Sequence, residues 1–524
     1  MLLQIELLYF VLMIGSFIAL LLWAKLPSGI CLMVSAVVGA VASAIFSQTD
    51  ISLRFFVEGA FGYFDTILVI TTAMVFMGAM QTCGALEYIS AALVKAFYKV
   101  PSLLLISFML IIMFPGMVTG SSLASAISAG ALVAPIMIKW GIPKAKTGAI
   151  IATGSILGMV APPINVPAMV ICDVVDIPYT GFTVPLLILS IPLAIVTVLL
   201  LGRKYVTALT KEQIESVVDT SVLKELKWTV CIPLMVLVLL IVGEIFWPLV
   251  FGSFGISAMF VTATVICFFV GRRVPFWKKA EAKAVEAPAP VEDDNVIHPL
   301  PSKKRPEEKQ ADSVVEVLMQ GVYKSFSAMG LLMGVGMFME IITLNGVRGY
   351  FVINAMSLSD IWRYVSMGLA LPVFGGISAF GSASILGGPF VMAFLSADNI
   401  YVTCGLSLLA ALGEFLPPTA MSAMFASQIV EEKGWAKISK ASITSILVIF
   451  VVTMFYTIGV AQWTKQISEG LLFLMFLVPA IVFAVVWEVL VQKSPKMRKY
   501  AYQVGGAAPA EPLESDDETK GGNE

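Results

Sequence analysis

The sequence predicts an all-α, polytopic membrane protein built as two related halves. Of its 524 residues, 58% are hydrophobic and 13% are charged, and the mean hydropathy is +0.92. A soluble chain carries about twice that share of charge. The apolar residues come in long runs without helical or strand alternation, each near the roughly 20 residues that a helix needs to cross a bilayer core. A set of Gly/Pro motifs also occurs twice in the same order.

The runs include Leu7–Trp23, Ile30–Phe46, Pro185–Leu201, Val230–Ile245, Phe251–Val270, Ile443–Val460 and Leu471–Leu490. Lipid offers backbone groups no partner, so such runs must be helical. About ten to thirteen crossings are expected when broken ones are counted. The first run is read as a transmembrane helix and not a cleaved signal: Glu6 is its first charge and Lys25 follows it.

The expected organisation is a membrane half over 1–271, with a hairpin at about 115–140 and a broken helix at about 144–175. A linker at 272–312, rich in Pro, Ala and charge, is expected to be disordered. The second membrane half covers 313–461, with a hairpin at about 372–396 and a broken helix at about 398–430. An extra transmembrane helix at 468–491 and a basic-then-acidic tail at 492–524 complete the chain. Basic residues cluster at Arg203, Lys204, Lys211, Lys224 and Lys227, at Arg272–Lys279, at Lys303–Arg305 and at Lys493–Lys499, which sets these segments on the cytoplasmic side.

Several function classes are excluded. The net charge of -2 gives no reason to expect nucleic acid. The six cysteines are scattered without a CxxC pair, against a disulfide framework or a zinc site. The single histidine, His298, lies in the linker, so Ser-His-Asp triads, HExxH sites and haem ligation within the membrane are unavailable. No enzyme activity and no cofactor are expected.

The halves share three landmarks. Phe76-Met77 and Gly84 match Phe338-Met339 and Gly346. Gly120-Ser121-Ser122 with Ser125 matches Gly381-Ser382-Ala383-Ser384. Leu157-Gly158 through Pro162-Pro163 matches Leu412-Gly413 through Pro417-Pro418. The offsets are 262, 261 and 255. Duplication with Gly/Pro-interrupted apolar segments at corresponding places is the mark of a secondary transporter. An odd number of crossings per half would make the repeats inverted.

The stretch from Met117 to Gly130 is dense in small and hydroxylated residues and is flanked by Pro115 and Pro135. It suits a re-entrant hairpin whose bend turns backbone groups toward a cavity; close helix packing through small residues is the alternative. Gly375–Pro389 is its counterpart. In each LGxxxPP motif the prolines remove helical hydrogen bonds and should unwind the chain. Unwound carbonyls can coordinate Na⁺, and half-helix N-termini can hold a carboxylate. A pair of ion sites follows, near Ser121 and Gly158 and near Ser382 and Gly413, with substrate between them.

Glu414 sits inside the second motif, and its burial must be relieved by a proton, a cation or a partner. Asn165, just past Pro162-Pro163, is a neutral candidate ligand. Asp173, Asp176 and Asp398 are read as capping or surface charges. Arg348 and Arg363 flank a short connection, where one could attract an anion.

The stretch TGSSLASAISAGALVAPIMIKWGIPKAKTGAIIATGSILGMVAPPINVP resembles the signature region of the large permease of TRAP transporters, the DctM-like subunit. FMGAMQTCGALEYI resembles its upstream helix and glycine turn, and SADNIYVTCGLSLLAALGEFLPP its C-terminal segment. The resemblance runs from about Leu26 to Val460. It implies an elevator-type transporter of the inner membrane, driven usually by Na⁺, that carries C4-dicarboxylates, sialic acid or other small organic acids. It also implies a periplasmic substrate-binding protein and a small four-helix membrane subunit as partners. Ion and substrate roles carry over to Thr119, Gly120, Ser121, Ser122, Gly158, Asn165, Gly381, Ser382, Ser384, Gly413 and Thr419. The long linker, the extra C-terminal span and Glu414 depart from the pattern. A stand-alone carrier of the same superfamily, needing neither accessory protein, is the alternative.

Overall fold

The computed structural model describes residues 2–47, 52–208, 222–226, 228–246, 255–271, 314–394, 397–460, 462, 464 and 467–493. The linker at 272–312 with His298, the tail beyond Lys493 and the basic residue Lys211 lie outside the described residues. All regular structure among the described residues is helical. Nine of its helices are long and apolar enough to cross a membrane, and five shorter apolar helices accompany them.

The chain opens with α1 (Leu2–Leu22) and α2 (Ser28–Phe46), then the short α3 (Leu53–Phe61) and α4 (Phe64–Thr82). Gly84, at φ +73°, turns the chain into α5 (Ala85–Phe97). There follow α6 (Pro101–Thr119), α7 (Ser122–Ser125), a π-helical turn at Ala126–Gly130 and α8 (Ala131–Lys139). The first half continues with α9 (Lys144–Val160), α10 (Val166–Val175) and α11 (Thr183–Gly202). The helices α12 (Ile232–Phe246) and α13 (Ile256–Gly271) precede the linker.

Beyond it, α14 (Val314–Leu344) ends before Gly346, at φ +74°, which starts α15 (Val347–Ser357). Next are α16 (Asp360–Gly375), α17 (Ala379–Ser382), a π-helical turn at Ala383–Gly387 and α18 (Gly388–Ala393). Then come α19 (Asn399–Leu412), a 3₁₀ turn at Gly413–Phe415, α20 (Met421–Ile429) and α21 (Trp435–Phe455). The extra C-terminal helix is α22 (Glu469–Lys493). The expected hairpin at about 115–140 covers the bend and second arm; the first arm begins at Pro101.

Two groupings of helices form. In one, α14 lies against α2, α3 and α4, and α13 packs on α4. Glycines set these crossings: a Cβ on Gly334 would stand 2.3 Å from the carbonyl oxygen of Gly29, and one on Gly336 2.0 Å from that of Gly59. Such contact brings backbones together where the hydrophobic effect between helices is absent. The other grouping is built around α9, which touches α6, α11, α20 and α21. Helices α5 and α15 connect the two.

Helix α22 lies along α11. The buried guanidinium of Arg203 grips Glu488 in two places, Nε–Oε2 at 2.5 Å and Nη2–Oε1 at 2.6 Å. The Ser102 hydroxyl donates to the same carboxylate, and the Trp487 indole donates to the Leu199 carbonyl at 3.2 Å. The opposite face of α22 exposes Leu471, Val478, Val482, Val485 and Val489, a surface suited to lipid.

Candidate functional site

The first bend lies between α6 and α7. The Thr119 hydroxyl donates to the Pro115 carbonyl at 2.7 Å and accepts the Ser121 N–H at 3.3 Å. Gly120 occupies the left-handed region at φ +62°, and a Cβ there would lie 2.4 Å from Val166 Cγ2. No side chain fits that conformation and that approach together. Ser121 is extended, and its hydroxyl accepts the Ala124 N–H at 3.3 Å, capping α7. The Ser125 hydroxyl donates to the Ile112 carbonyl, tying the second arm back to the first.

Helix α9 crosses this hairpin with no side chain between the backbones. A Cβ on Gly158 would stand 2.4 Å from the Met113 carbonyl oxygen, and one on Gly116 2.8 Å from the Gly158 carbonyl carbon. The helix stops at Val160, followed by Pro162-Pro163, whose peptide bond is cis. The Ile164 N–H donates to the Met117 carbonyl at 3.2 Å.

Asn165 is fully buried and binds on every side. Its Oδ1 accepts the Ala168 N–H at 3.0 Å, capping α10. Its Nδ2 donates to the Val160 carbonyl at 3.0 Å and to the Ser407 hydroxyl at 2.8 Å. Its own N–H donates to the Tyr179 hydroxyl at 3.2 Å. Asn165 thus closes the first break and fastens it to α19 of the other half.

The second bend, between α16 and α17, has the same local devices. Ser378 is extended at φ −160°, and its hydroxyl accepts the Gly381 N–H at 3.1 Å. The Ser382 hydroxyl donates to the Leu371 carbonyl at 2.7 Å. A five-residue π-helical turn follows, as after the first bend. A Cβ on Gly413 would stand 2.1 Å from the carbonyl carbon of Gly375, so α19 crosses this hairpin backbone to backbone. Pro417-Pro418 is also cis. Thr419 donates to the Gly376 carbonyl from its N–H at 3.2 Å and from its hydroxyl at 2.7 Å.

Two contacts reach beyond the bends. Glu414, 6% exposed, accepts a hydrogen bond from the Ser422 hydroxyl on α20, and its carboxyl lies within interaction range of Ser122 at the first bend. Ser384 shares a 3.3 Å hydrogen bond with the Tyr63 hydroxyl at the start of α4. A cavity of about 10 Å³ lies beside the second bend, lined by Ser378, Gly381 and Ser382 with Ile14, Phe17 and Leu32.

The predicted residues therefore gather as two crossings. Thr119, Gly120, Ser121 and Ser122 sit at the bend whose arm Gly158 crosses; Gly381, Ser382 and Ser384 follow the bend held by Gly413 and Thr419. Glu414 joins one crossing to the other. Among the described residues no group of three or more His, Cys, Asp or Glu could hold a metal ion. Carbonyls, hydroxyls and the Glu414 carboxyl are the oxygen donors these crossings present.

Of the two arginines, Arg363 is saturated: it donates to the carbonyls of Ala355, Met356, Leu358 and Ala393. Arg348 donates to the Val174 carbonyl. Ser378, Ser407 and Ser422 were not singled out from sequence. Ser378 carried a signal, a hydroxyl at the start of a small-residue helix; Ser407 and Ser422 match no motif.

A family model described as the DctM component of the tripartite ATP-independent periplasmic transporter matches residues 14–467. Comparison with curated proteins finds no match.

Proposed function

The chain belongs to the DctM family, the permease component of tripartite ATP-independent periplasmic transporters, and on that premise we propose that it imports small organic anions in symport with a cation. The family is one of transporters and not of enzymes, and with the apolar helices it points to a multi-pass membrane permease. The finer reading assigns coupling to Na⁺, carboxylates as substrates, an elevator motion and the inner membrane as location.

The observation that carries this reading is the pair of crossings. Each has a hydroxyl-capped bend, a π-helical turn, a glycine-to-backbone crossing and a Pro-Pro break. In each, the residue after the prolines donates its N–H to a carbonyl of the first arm. Left-handed Gly84 and Gly346 precede the connecting helices. This supports two repeats, and it pairs Ser121 with Ser378, one turn before the Ser382 that the sequence motifs align with it. Helix α10 packs on the second π turn and α20 on the first, the exchange expected of a pseudo-two-fold arrangement.

A carbonyl has two lone pairs, so one at a helix end or unwound segment can accept a hydrogen bond and still face a cation. Those at Thr119–Ser122, Gly158, Ile377–Ser382 and Gly413, with nearby hydroxyls, are the oxygen donors proposed for Na⁺. The Ser384 and Thr419 side chains, with Asn165 near them, are proposed to line the substrate carboxylate site, while the amides of Ser121 and Ser378 donate within the bends, to the Thr119 hydroxyl and the Phe374 carbonyl. The grouping around α9 would carry both across, against the grouping around α14, while α5 and α15 flex.

Thermal unfolding of the purified protein in NaCl against choline chloride at equal ionic strength tests this. A ligand at 100 times its dissociation constant stabilises the folded state by about 2.7 kcal/mol. A Na⁺-specific rise in Tm, reduced by Ser121→Ala or Ser378→Ala, is expected. Equal curves in both salts at every concentration remove the Na⁺ assignment. A substrate-binding protein and a small membrane subunit are the proposed partners; saturable uptake by this chain alone in vesicles would favour the stand-alone carrier.

A further inference from the structure

Three of the six cysteines belong to one neighbourhood. Cys83 follows the last residue of α4, and its Sγ lies 3.6 Å from Sγ of Cys267 in α13. Both are buried and free. Cys231, half-buried before α12, ends the 3₁₀ turn Trp228–Cys231, which packs on α5 and α13.

What makes the pair informative is its neighbour. Cys83 precedes Gly84, whose φ of +73° turns the chain into α5, one of the two helices joining the groupings. Asn345 precedes Gly346 in the corresponding place, and its Nδ2 donates to the Gly39 carbonyl of α2 at 3.2 Å. Both turns are thus anchored to a helix of the α14 grouping. One anchor is an amide hydrogen bond, which no oxidant alters. The other is a thiol pair.

We propose that Cys83 and Cys267 form a reversible oxidation site, whose disulfide pins the root of α5. A disulfide needs the sulfurs about 1.5 Å closer than the 3.6 Å at which they stand. With a peroxide as oxidant, the Cys83 sulfur attacks the O–O bond and becomes a sulfenic acid, releasing one water. The Cys267 sulfur then displaces the sulfenic oxygen, which leaves as a second water. Two thiols are oxidised and one peroxide is reduced; a dithiol reverses the bond. The basic segment from Arg272, directly after α13, sets this end on the cytoplasmic side. Disulfides there are characteristically transient and redox-sensing. The effect on α5 rests on the proposed elevator reading; the disulfide itself does not.

The test uses the full chain in detergent, treated with hydrogen peroxide and mapped by non-reducing peptide mass spectrometry. A Cys83–Cys267 linked peptide, reversed by dithiothreitol and missing in Cys267→Ser, is expected. Hydrogen exchange across 84–97 should slow several-fold on oxidation in the wild type and stay unchanged in Cys267→Ser. Free thiols at both positions after Cys231 has been oxidised overturn the proposal, as does linkage of Cys83 to Cys231 instead. A disulfide that leaves exchange across 84–97 unaltered overturns the pinning. None of these readouts depends on Na⁺, so failure here and failure of the Na⁺ assignment are separate results.

Discussion

Glu414, from the broken helix of the second half, stands beside Ser122 at the bend of the first, within range for its carboxyl to interact with that hydroxyl. These residues stand far apart in the chain, and the contact links the two crossings through a carboxyl group excluded from solvent. Ser422 supplies a second hydroxyl. No lysine, arginine or histidine lies within 4 Å of the carboxyl among the described residues.

Replacing this carboxyl separates its two roles. Glu414→Ala leaves the buried Ser422 hydroxyl without its acceptor and opens a void. Stability should fall by about 2–3 kcal/mol, read as a lower apparent Tm. Glu414→Gln keeps volume and an acceptor and should unfold near the wild-type temperature. If Glu414 serves the proposed cation site, Gln also abolishes the Na⁺-specific rise in Tm; an undiminished rise would leave Glu414 a structural tie.

The glycines divide by what surrounds them. Gly413→Ala would put a methyl 2.1 Å from the backbone of Gly375. The helices must separate, with a loss above about 3 kcal/mol or failure to fold. Gly381→Ala meets nothing nearer than 3.4 Å and should fold normally. Its Na⁺ and substrate responses then report on the site itself. Equal Tm values for the two variants would contradict the crossing geometry.

Asn165→Ala removes the cap of α10 and the bridge to Ser407 together. The cap alone is worth about 1 kcal/mol, and the unpaired Val160 carbonyl adds about 1–3 kcal/mol. Asn165→Asp restores the cap acceptor but cannot donate to Val160 or Ser407. A Tm for Asp between those of Ala and wild type is expected; Asp equal to wild type would show that the two donated bonds carry no stability.

One ion pair, Arg203 with Glu488, ties the C-terminal helix to α11 beside the Trp487 hydrogen bond and the packing between the two helices. Breaking a buried pair by removing one partner costs about 3–5 kcal/mol; Glu488 is about one-fifth exposed, so solvent lessens that. Glu488→Ala should release α22 from α11, read as faster protease cleavage between 460 and 493 with the remainder intact. Arg203→Met combined with Glu488→Leu should restore protection, because an apolar pair leaves no charge behind.

Much of the architecture was legible because hydropathy is local. A run such as Leu471–Leu490 needs no partner to declare itself a candidate membrane helix, and Glu469–Lys493 is a helix long and apolar enough to cross. Pro162-Pro163 and Pro417-Pro418 mark where α9 and the 3₁₀ turn after α19 stop, since proline removes the hydrogen bond wherever it stands. Pairing between halves was less legible. The Gly-Ser motif aligned Ser121 with Ser382, while the capping geometry matches Ser121 to Ser378. Two small-residue stretches can be slid one helical turn with little change in composition.

The sequence by itself determined the solvent and the secondary structure of this protein: apolar runs admit only helices in lipid, and glycine and proline break them wherever they occur. Only the tertiary structure decided which broken segment faces which bend. That Asn165 meets Ser407, that Glu414 meets Ser122, and that Cys83 meets Cys267 depends on directional contacts of a few ångströms between segments remote in sequence. Such contacts leave no periodicity to read, because each is set by how whole helices cross and by the glycines that let them touch.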